Sequence, residues 1–231
     1  MTSSGTVDTS TAILIPVYNE AQVVAGVIAA AREQFQYVVC VDDGSKDNSA
    51  AEIVKGGGML VQHPINLGQG AALQTAIEFA RELPVDYFCT FDADGQHRLA
   101  DVQRMLTEIR GGDYDIILGS RFTGHAENIS KAKRALLKAA VAFSNATTGL
   151  KLTDAHNGLR VFNRTIGNAI QLTSPDMSHA SEFVEILAKG KYRYLEIPVT
   201  IEYTEYSRSK GQSMIKAINI AFDALLRRIL R

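Results

Sequence analysis

The chain lacks most features that announce a partner class outright. It has only two cysteines, Cys40 and Cys89. Both lie inside apolar runs without metal-ligand spacing. A disulfide framework and a cysteine metal site are therefore set aside, and the thiols read as buried and reduced. Neither charge is in excess: 24 basic and 25 acidic residues leave a net charge of -1. That excludes a global pull toward nucleic acid, so any basic function must be local. No apolar run reaches the ~18 residues that a membrane span needs. The opening stretch MTSSGTVDTST lacks a basic segment followed by an apolar one. It reads as a loose tail over residues 1–11, not as a secretory signal. Internal repeats and low-complexity stretches are missing as well. With 46% hydrophobic and 21% charged residues, the 231-residue chain suits a single α/β domain over 12–213, followed by an appended helix over 214–231. Reduced thiols and the missing signal point to the cytoplasm.

What is present is an ordered alternation. AILIPVY, YVVCV, MLVQHP, VDYFCTF and YDIILGSRF are short apolar runs of strand type. NEAQVVAGVIAAAREQF reads as a helix with Asn19 as its N-cap, and AAEIVKG, NLGQGAALQTAIEFAREL and RLADVQRMLTEIRGG as further helices. This order predicts a mostly parallel central sheet with helices on both faces. The second half is less regular. It holds helical patterns in KAKRALLKAAVAFSNATTG and HASEFVEILAKG, and strands in LRVFNR and YRYLEIPVTIEYT.

In an open parallel sheet, ligands bind beyond the carboxyl ends of the strands. Polar residues gather there: Tyr18, Asn19 and Glu20; Asp42 and Asp43; Asn66, Gly68 and Gly70; Asp92, Asp94, Gln96 and His97; Ser120 and Arg121. Single clusters have bland readings. Ser45 or Asp47 caps the next helix, His97 merely starts one, and NLGQGAAL is a tight turn matching neither the P-loop nor G-x-G-x-x-G. That turn also offers backbone N–H groups to a ligand. DADGQH carries more. In extended backbone, Asp92 and Asp94 point the same way. Their repulsion is relieved by a hard divalent cation with oxygen ligands, Mg²⁺ or Mn²⁺. The stretch lacks the EF-hand glycine and glutamate.

Taken in order, ILIPVYNE, VVCVDDGSKDNS, NLGQGAAL, FDADGQH and ILGSRF resemble the successive motifs of family 2 glycosyltransferases with the GT-A fold. The polyprenyl-phosphate sugar synthase branch, such as dolichol-phosphate mannose synthases, is most similar. TDAHNGLRVFNR resembles that branch's D-x-x-S-G-F-R segment, and YLEIPVTIEY extends the likeness. The resemblance implies a metal-dependent inverting transfer from a nucleotide-diphosphate sugar to a polyprenyl-phosphate or cell-envelope glycan acceptor. It places Pro16, Tyr18 and Glu20 at the nucleoside and Asp43 at the base, with Gly70 and Ala93 also on the donor side. Asp92 and Asp94, with Gln96, would hold the metal against the donor diphosphate, Asp94 counting as catalytic. Arg121 and Arg134 match acceptor-side arginines facing a lipid phosphate, with Arg121 also assigned to the catalytic set.

Two departures stand out. The branch has Ser-Gly-Phe where this chain has Asn157, Gly158 and Leu159, and a late lysine where this chain has Met214. Arg208 or Lys210 is the substitute cation for the diphosphate. A phosphate acceptor is already anionic, whereas a hydroxyl acceptor needs a general base, for which His179 and Glu182 are the candidates. In MIKAINIAFDALLRRILR the apolar positions repeat at helical spacing, and Lys216, Arg227, Arg228 and Arg231 outweigh Asp223. That helix lies on the membrane surface, or packs on the body or on another copy in a homo-oligomer. Two other functions remain open: a nucleotidyltransferase, whose glycine- and arginine-rich first loop is missing here, and a silent nucleotide-sugar-binding partner subunit.

Overall fold

The computed structural model describes residues 6–126, 131–155, 157–176 and 178–202, with the backbone alone for 124–126 and 131–137. Arg208, Lys210 and the helix predicted at 214–231 lie outside the described residues, as does the side chain of Arg134. Seven strands form one sheet: β1 (Asp8–Val17), β2 (Phe35–Asp42), β3 (Met59–Gln62), β4 (Tyr87–Thr90), β5 (Ile116–Ala126), β6 (Arg160–Asn163) and β7 (Tyr194–Ile201). Their order is β3-β2-β1-β4-β6-β5-β7. β6 runs antiparallel to both neighbours, β4 and β5, and every other pairing is parallel.

The continuous apolar runs of the central strands follow from burial on both faces. In β1 the alternation is visible residue by residue. Ala12 and Leu14 join one core, and Ile13 and Ile15 join the other. The first core is closed by α3 (Gln69–Arg81), α5 (Lys131–Thr148), α6 (Arg164–Ala169) and α7 (His179–Gly190). The second is closed by α1 (Val24–Arg32), α2 (Ser49–Lys55) and α4 (Leu99–Gly111). Cys40 and Cys89 are free and fully buried in that second core, and burial pushes both thiols up, so they pack as small apolar groups.

Three local expectations change. β1 starts at Asp8, inside the stretch read as a tail. Its polar side chains hid the strand; Asp8 N–H reaches Gln34 O at 2.8 Å and its carboxylate accepts from Ser10 and Thr11. α1 starts at Val24, and Asn19 does not cap it. Asn19 instead has φ 55° and turns outward, where its Oδ1 accepts from Lys46 N–H at 2.8 Å. α6 was not anticipated. It is a six-residue helix capped by Asn163, whose side chain accepts from Ile166 N–H at 3.1 Å. Arg164 anchors it by donating to the carbonyls of Arg81, Leu83 and Val85. A short amphipathic turn held by tertiary contacts leaves little trace in periodicity.

The chain winds from β1 outward through β2 to β3, then returns to the other side of β1 for β4. The carboxyl ends of β1 and β4 therefore flank a topological switch point, where such sheets leave a crevice.

Candidate active site

The loops after β1 and β2 are stitched together. Asn19 N–H donates to Ser45 Oγ at 2.9 Å, Glu20 N–H to Ser49 Oγ at 2.8 Å, and Ala21 N–H to Asp47 at 3.2 Å. Ser45 thus acts across loops, whereas Asp47 does both: its Oδ1 accepts from Ser49 N–H, the first residue of α2, at 3.0 Å, while the formal N-cap position falls to Asn48 without a side-chain bond. Pro16 sits near the end of β1, and Tyr18 stands exposed beyond it. Asp43, placed by resemblance at the base, is buried and heavily used. Its Oδ1 accepts from Leu67 N–H at 2.9 Å and meets His63 Nδ1 at 2.7 Å, while Oδ2 accepts from Gly68 N–H at 2.8 Å. His63 Nε2 in turn meets Thr75 Oγ1 at 2.9 Å, so the imidazole locks Asp43 to α3.

The glycine turn before α3 does not offer its N–H groups to a ligand. Gly70 and Ala71 N–H both point at Pro175 O, at 2.7 and 3.2 Å. A Cβ at Gly68 would lie 2.3 Å from Pro175 O, and one at Gly70 2.1 Å from Ser174 O. The glycines are there for this close approach. Gly70 accordingly has a packing role in place of the donor contact expected of it. The segment that seats on them is clamped by Glu182, whose carboxylate accepts from Thr173 N–H, Thr173 Oγ1 at 2.5 Å and Ser174 N–H at 2.8 Å. Burial works to raise its pKa, but these bonds outweigh it and hold the group below the usual carboxylate range. Glu182, expected as a base, is an occupied clamp.

Asp92 and Asp94 follow β4 in the crevice, with Ala93 buried between them. His97 Nε2 lies 2.9 Å from Asp92 Oδ2. Burial opposes ionisation of Asp92, yet the bond and charge of His97, then Arg160 and His179, hold its pKa below the ordinary value. His97 therefore donates to an ionised carboxylate and orients it, as ligand-supporting groups do. Asp94 is the reverse case. Burial, then the charges of Asp92 and Glu20, push it up to about 6, against weaker help from Gln96 N–H. Gln96 Nε2 also donates to Asp94, leaving Oε1, the one oxygen of its amide, for a further contact. Gln96 O accepts from Glu202 N–H at 3.0 Å, and His97 bridges Ile201, so the end of β7 holds the loop in place.

This donor set fits a hard cation. It is all oxygen, and its members repel each other without one. Among the described residues no third histidine, cysteine or carboxylate joins the pair to complete a metal cluster. Asp92 and Asp94 would be its protein ligands, with Gln96 the further oxygen within the same loop.

The stretch before β6 forms the floor. Thr90 Oγ1 donates to Gly158 O at 2.5 Å, and a Cβ on Gly158 would lie 2.6 Å from Asp92 Oδ2. Arg160 is 3% exposed, stacks 4.6 Å over the Phe183 ring, and is pushed down to about 10, by burial first. His179 begins α7, and its Nδ1 lies 2.7 Å from Asp176 O. A carbonyl there demands Nδ1–H, so neutral His179 carries its lone pair on Nε2. Burial, then the Arg160 charge, lower its pKa and favour that neutral form. Arg121 is not a bare cation: Nε and Nη2 grip both oxygens of Asp154, at 2.7 and 2.8 Å, in a pair that is nearly buried.

The fold thus brings Glu20, Asp92, Asp94, Gln96 and His179 to one crevice, and gives Asp43, Gly70 and Glu182 structural work. Sequence reasoning grouped His97 with the aspartates without giving it a role, and it missed Asp154 and Arg160 as members. The signals were present, since His97 shares a loop with the aspartates and Asp154 and Arg160 bracket the Asn157–Gly158–Leu159 segment.

The family model described as "Glycosyl transferase family 2" matches residues 12–170. A Methanococcus voltae protein named UDP-N-acetylglucosamine–dolichyl-phosphate N-acetylglucosaminyltransferase is 28% identical over 237 residues, covering 93% of this chain and 94% of that one. An undecaprenyl-phosphate 4-deoxy-4-formamido-L-arabinose transferase of Pseudomonas fluorescens is 32% identical over 226 residues, covering 92% of this chain and 63% of its own length. Glucosyl-3-phosphoglycerate synthase of Mycobacterium tuberculosis, crystallised with Mn²⁺ and UDP-glucose, shares the fold with a TM-score of 0.69 at 15% identity, over 95% of this chain and 79% of that one. With the motifs, the seven-stranded sheet and the crevice in agreement, this chain belongs to glycosyltransferase family 2 and is a GT-A enzyme.

Proposed function

We propose that the enzyme transfers a sugar from a nucleotide-diphosphate sugar to a polyprenyl phosphate, inverting the anomeric centre, with Mg²⁺ or Mn²⁺ bound at Asp92 and Asp94. The observation that carries this is the aspartate pair at the switch point, one member ionised and the other raised to about 6 by burial and then by the charge of Asp92. Asp92 and Asp94 would hold the divalent cation there, and it would supply the positive charge that offsets the diphosphate charge growing as the nucleotide departs. The chain's own groups prepare the site. His97 orients Asp92, and Pro16, Tyr18 and Glu20 stand where a nucleoside would lie. Asp43 fixes the neighbouring loop and keeps one lone pair on Oδ2 for a base N–H. Two relatives whose names specify dolichyl or undecaprenyl phosphate support the lipid-phosphate acceptor, and the neighbour crystallised with Mn²⁺ and UDP-glucose supports the donor and metal class.

A phosphate oxygen attacks the anomeric carbon without a base, which suits the occupied Glu182 carboxylate. Arg121, gripped by Asp154, and Arg134 are the acceptor-side arginines of this reading, and Arg208 and Lys210 the additional cations for the diphosphate. A hydroxyl acceptor is the second reading, favoured only by the lone pair of His179 Nε2. Among the described residues no helix is long and apolar enough to cross a membrane. A lipid acceptor then implies work at a membrane surface on its cytoplasmic face, with the 214–231 segment as the proposed contact.

The test is incubation with UDP-, GDP- and dTDP-sugars, Mn²⁺ and a short polyprenyl phosphate. Nucleoside diphosphate release that depends on both metal and lipid phosphate is expected. Release with a glycan hydroxyl but not with the lipid phosphate would replace the first reading by the second.

A further inference from the structure

Asn157 carries a buried donor that the protein leaves unused. Its Oδ1 accepts from Leu159 N–H at 3.0 Å, which fixes the orientation of the amide. Nδ2, a donor only, is then the end of the amide that this bond leaves over. The residue is 4% exposed, and Nδ2 has no hydrogen-bond partner. Buried donors without partners are rare in folded proteins, because each gives up its water and gains nothing. The neighbouring residue, Gly158, presses its backbone against the Asp92 carboxylate. The unused donor therefore lies one residue from the aspartate pair, in a segment pinned to the end of β4 by Thr90.

The sheet order gives this donor an address. β2, β1, β4 and β6 are successive neighbours. On the reading above, the nucleoside lies over the ends of β1 and β2 and the diphosphate over the end of β4. The next group of the donor, the sugar, then comes over the start of β6, where Asn157 stands. We infer that Asn157 is a specificity-determining residue, whose Nδ2 donates to an acceptor oxygen of the transferred sugar, either a hydroxyl or an acylamino carbonyl. This inference rests on the nucleotide-sugar reading of the site.

The test is calorimetric binding in the presence of Mn²⁺, with UDP, UDP-glucose, UDP-N-acetylglucosamine, GDP and GDP-mannose as probes. Asn157→Ala removes the donor. Asn157→Asp keeps Oδ1 for Leu159 N–H and replaces the donor by an acceptor, and covers the case in which the alanine variant does not fold. The readout is the affinity ratio of sugar nucleotide to bare nucleotide, because a new charge near Asp92 shifts both ligands through the metal. Both variants should lower that ratio about tenfold, the worth of one lost hydrogen bond at 1.4 kcal/mol. A loss confined to UDP-N-acetylglucosamine assigns the acyl oxygen, and an equal loss with UDP-glucose assigns a hydroxyl. An unchanged ratio in a folded variant overturns the inference and leaves the nucleotide-sugar reading standing. A wild-type protein that binds UDP or GDP but no sugar nucleotide overturns that reading, and the inference with it.

Discussion

Asp42 ends β2 and Asp43 follows it, Asp92 and Asp94 follow β4, and the fold treats Asp43 and Asp94 in opposite ways. Asp43 faces two backbone N–H groups and an imidazole, all within 2.9 Å. Its carboxylate holds the β3–α3 loop. Among the described residues Asp94 accepts hydrogen bonds from Gln96 alone, and burial and the Asp92 charge outweigh these and the favourable charge of His97. A carboxylate supplied with donors is a structural part, and one supplied mainly with negative neighbours awaits a cation. Identical residue types at equivalent strand ends thus do different work, and the difference lies in which donors the surrounding loops deliver.

Breaking the second pair should have the largest effect. Asp94→Ala is expected to lower transfer by more than about 100-fold, since electrostatic stabilisation of the departing group is usually the largest catalytic contribution. Circular dichroism and the melting temperature should stay near wild type. Chelation of the metal should reproduce the loss in the unmodified enzyme, and loss of fold in Asp94→Ala would contradict the contrast. Breaking the first pair should act on stability first, and on nucleotide affinity through the lost Asp43 Oδ2. Asp43→Ala strands two N–H groups and one face of His63, and should cost about 2–4 kcal/mol in urea denaturation.

The pH dependence sharpens the comparison. With its carboxyl raised to about 6, Asp94 competes with protons for the metal, so Mn²⁺ affinity should fall about tenfold per pH unit below that value. The stability sign is the reverse. In the metal-free protein the raised pKa favours the protonated form. Its contribution is present below the ordinary carboxylate value and is lost as the pH rises through about 6. Asp94→Asn should flatten that part of the stability profile, and an unchanged profile would mean that Asp94 is not the titrating group. The smallest effect is expected at Glu182. Glu182→Gln should cost about 1 kcal/mol by weakening the Thr173–Ser174 clamp, with turnover changed by less than about threefold. A fall in turnover of about 100-fold or more in a folded Glu182→Gln variant would restore Glu182 as a base.

The strands, the long helices and the aspartate pair were legible in the sequence because each rests on local pattern. Doubly buried strands read as apolar runs, helices as periodicity, and Asp92-x-Asp94 as two like side chains on one side of an extended segment. Where one group acts on another across the fold, local pattern carried no signal. Nothing near Glu182 announces that its partners are Thr173 and Ser174, nor does Gly70 announce the Ser174 carbonyl that excludes a side chain there. The antiparallel insertion of β6 between β4 and β5 is also a tertiary decision. It brings Gly158 and Arg160 beside Asp92, more than 60 residues earlier in the chain. By itself, then, the sequence determined the layered α/β architecture and the family, which depend on the order and type of local segments. The tertiary structure decided which polar groups are spent on the scaffold and which are left for a ligand, because hydrogen-bond satisfaction depends on neighbours that only folding supplies.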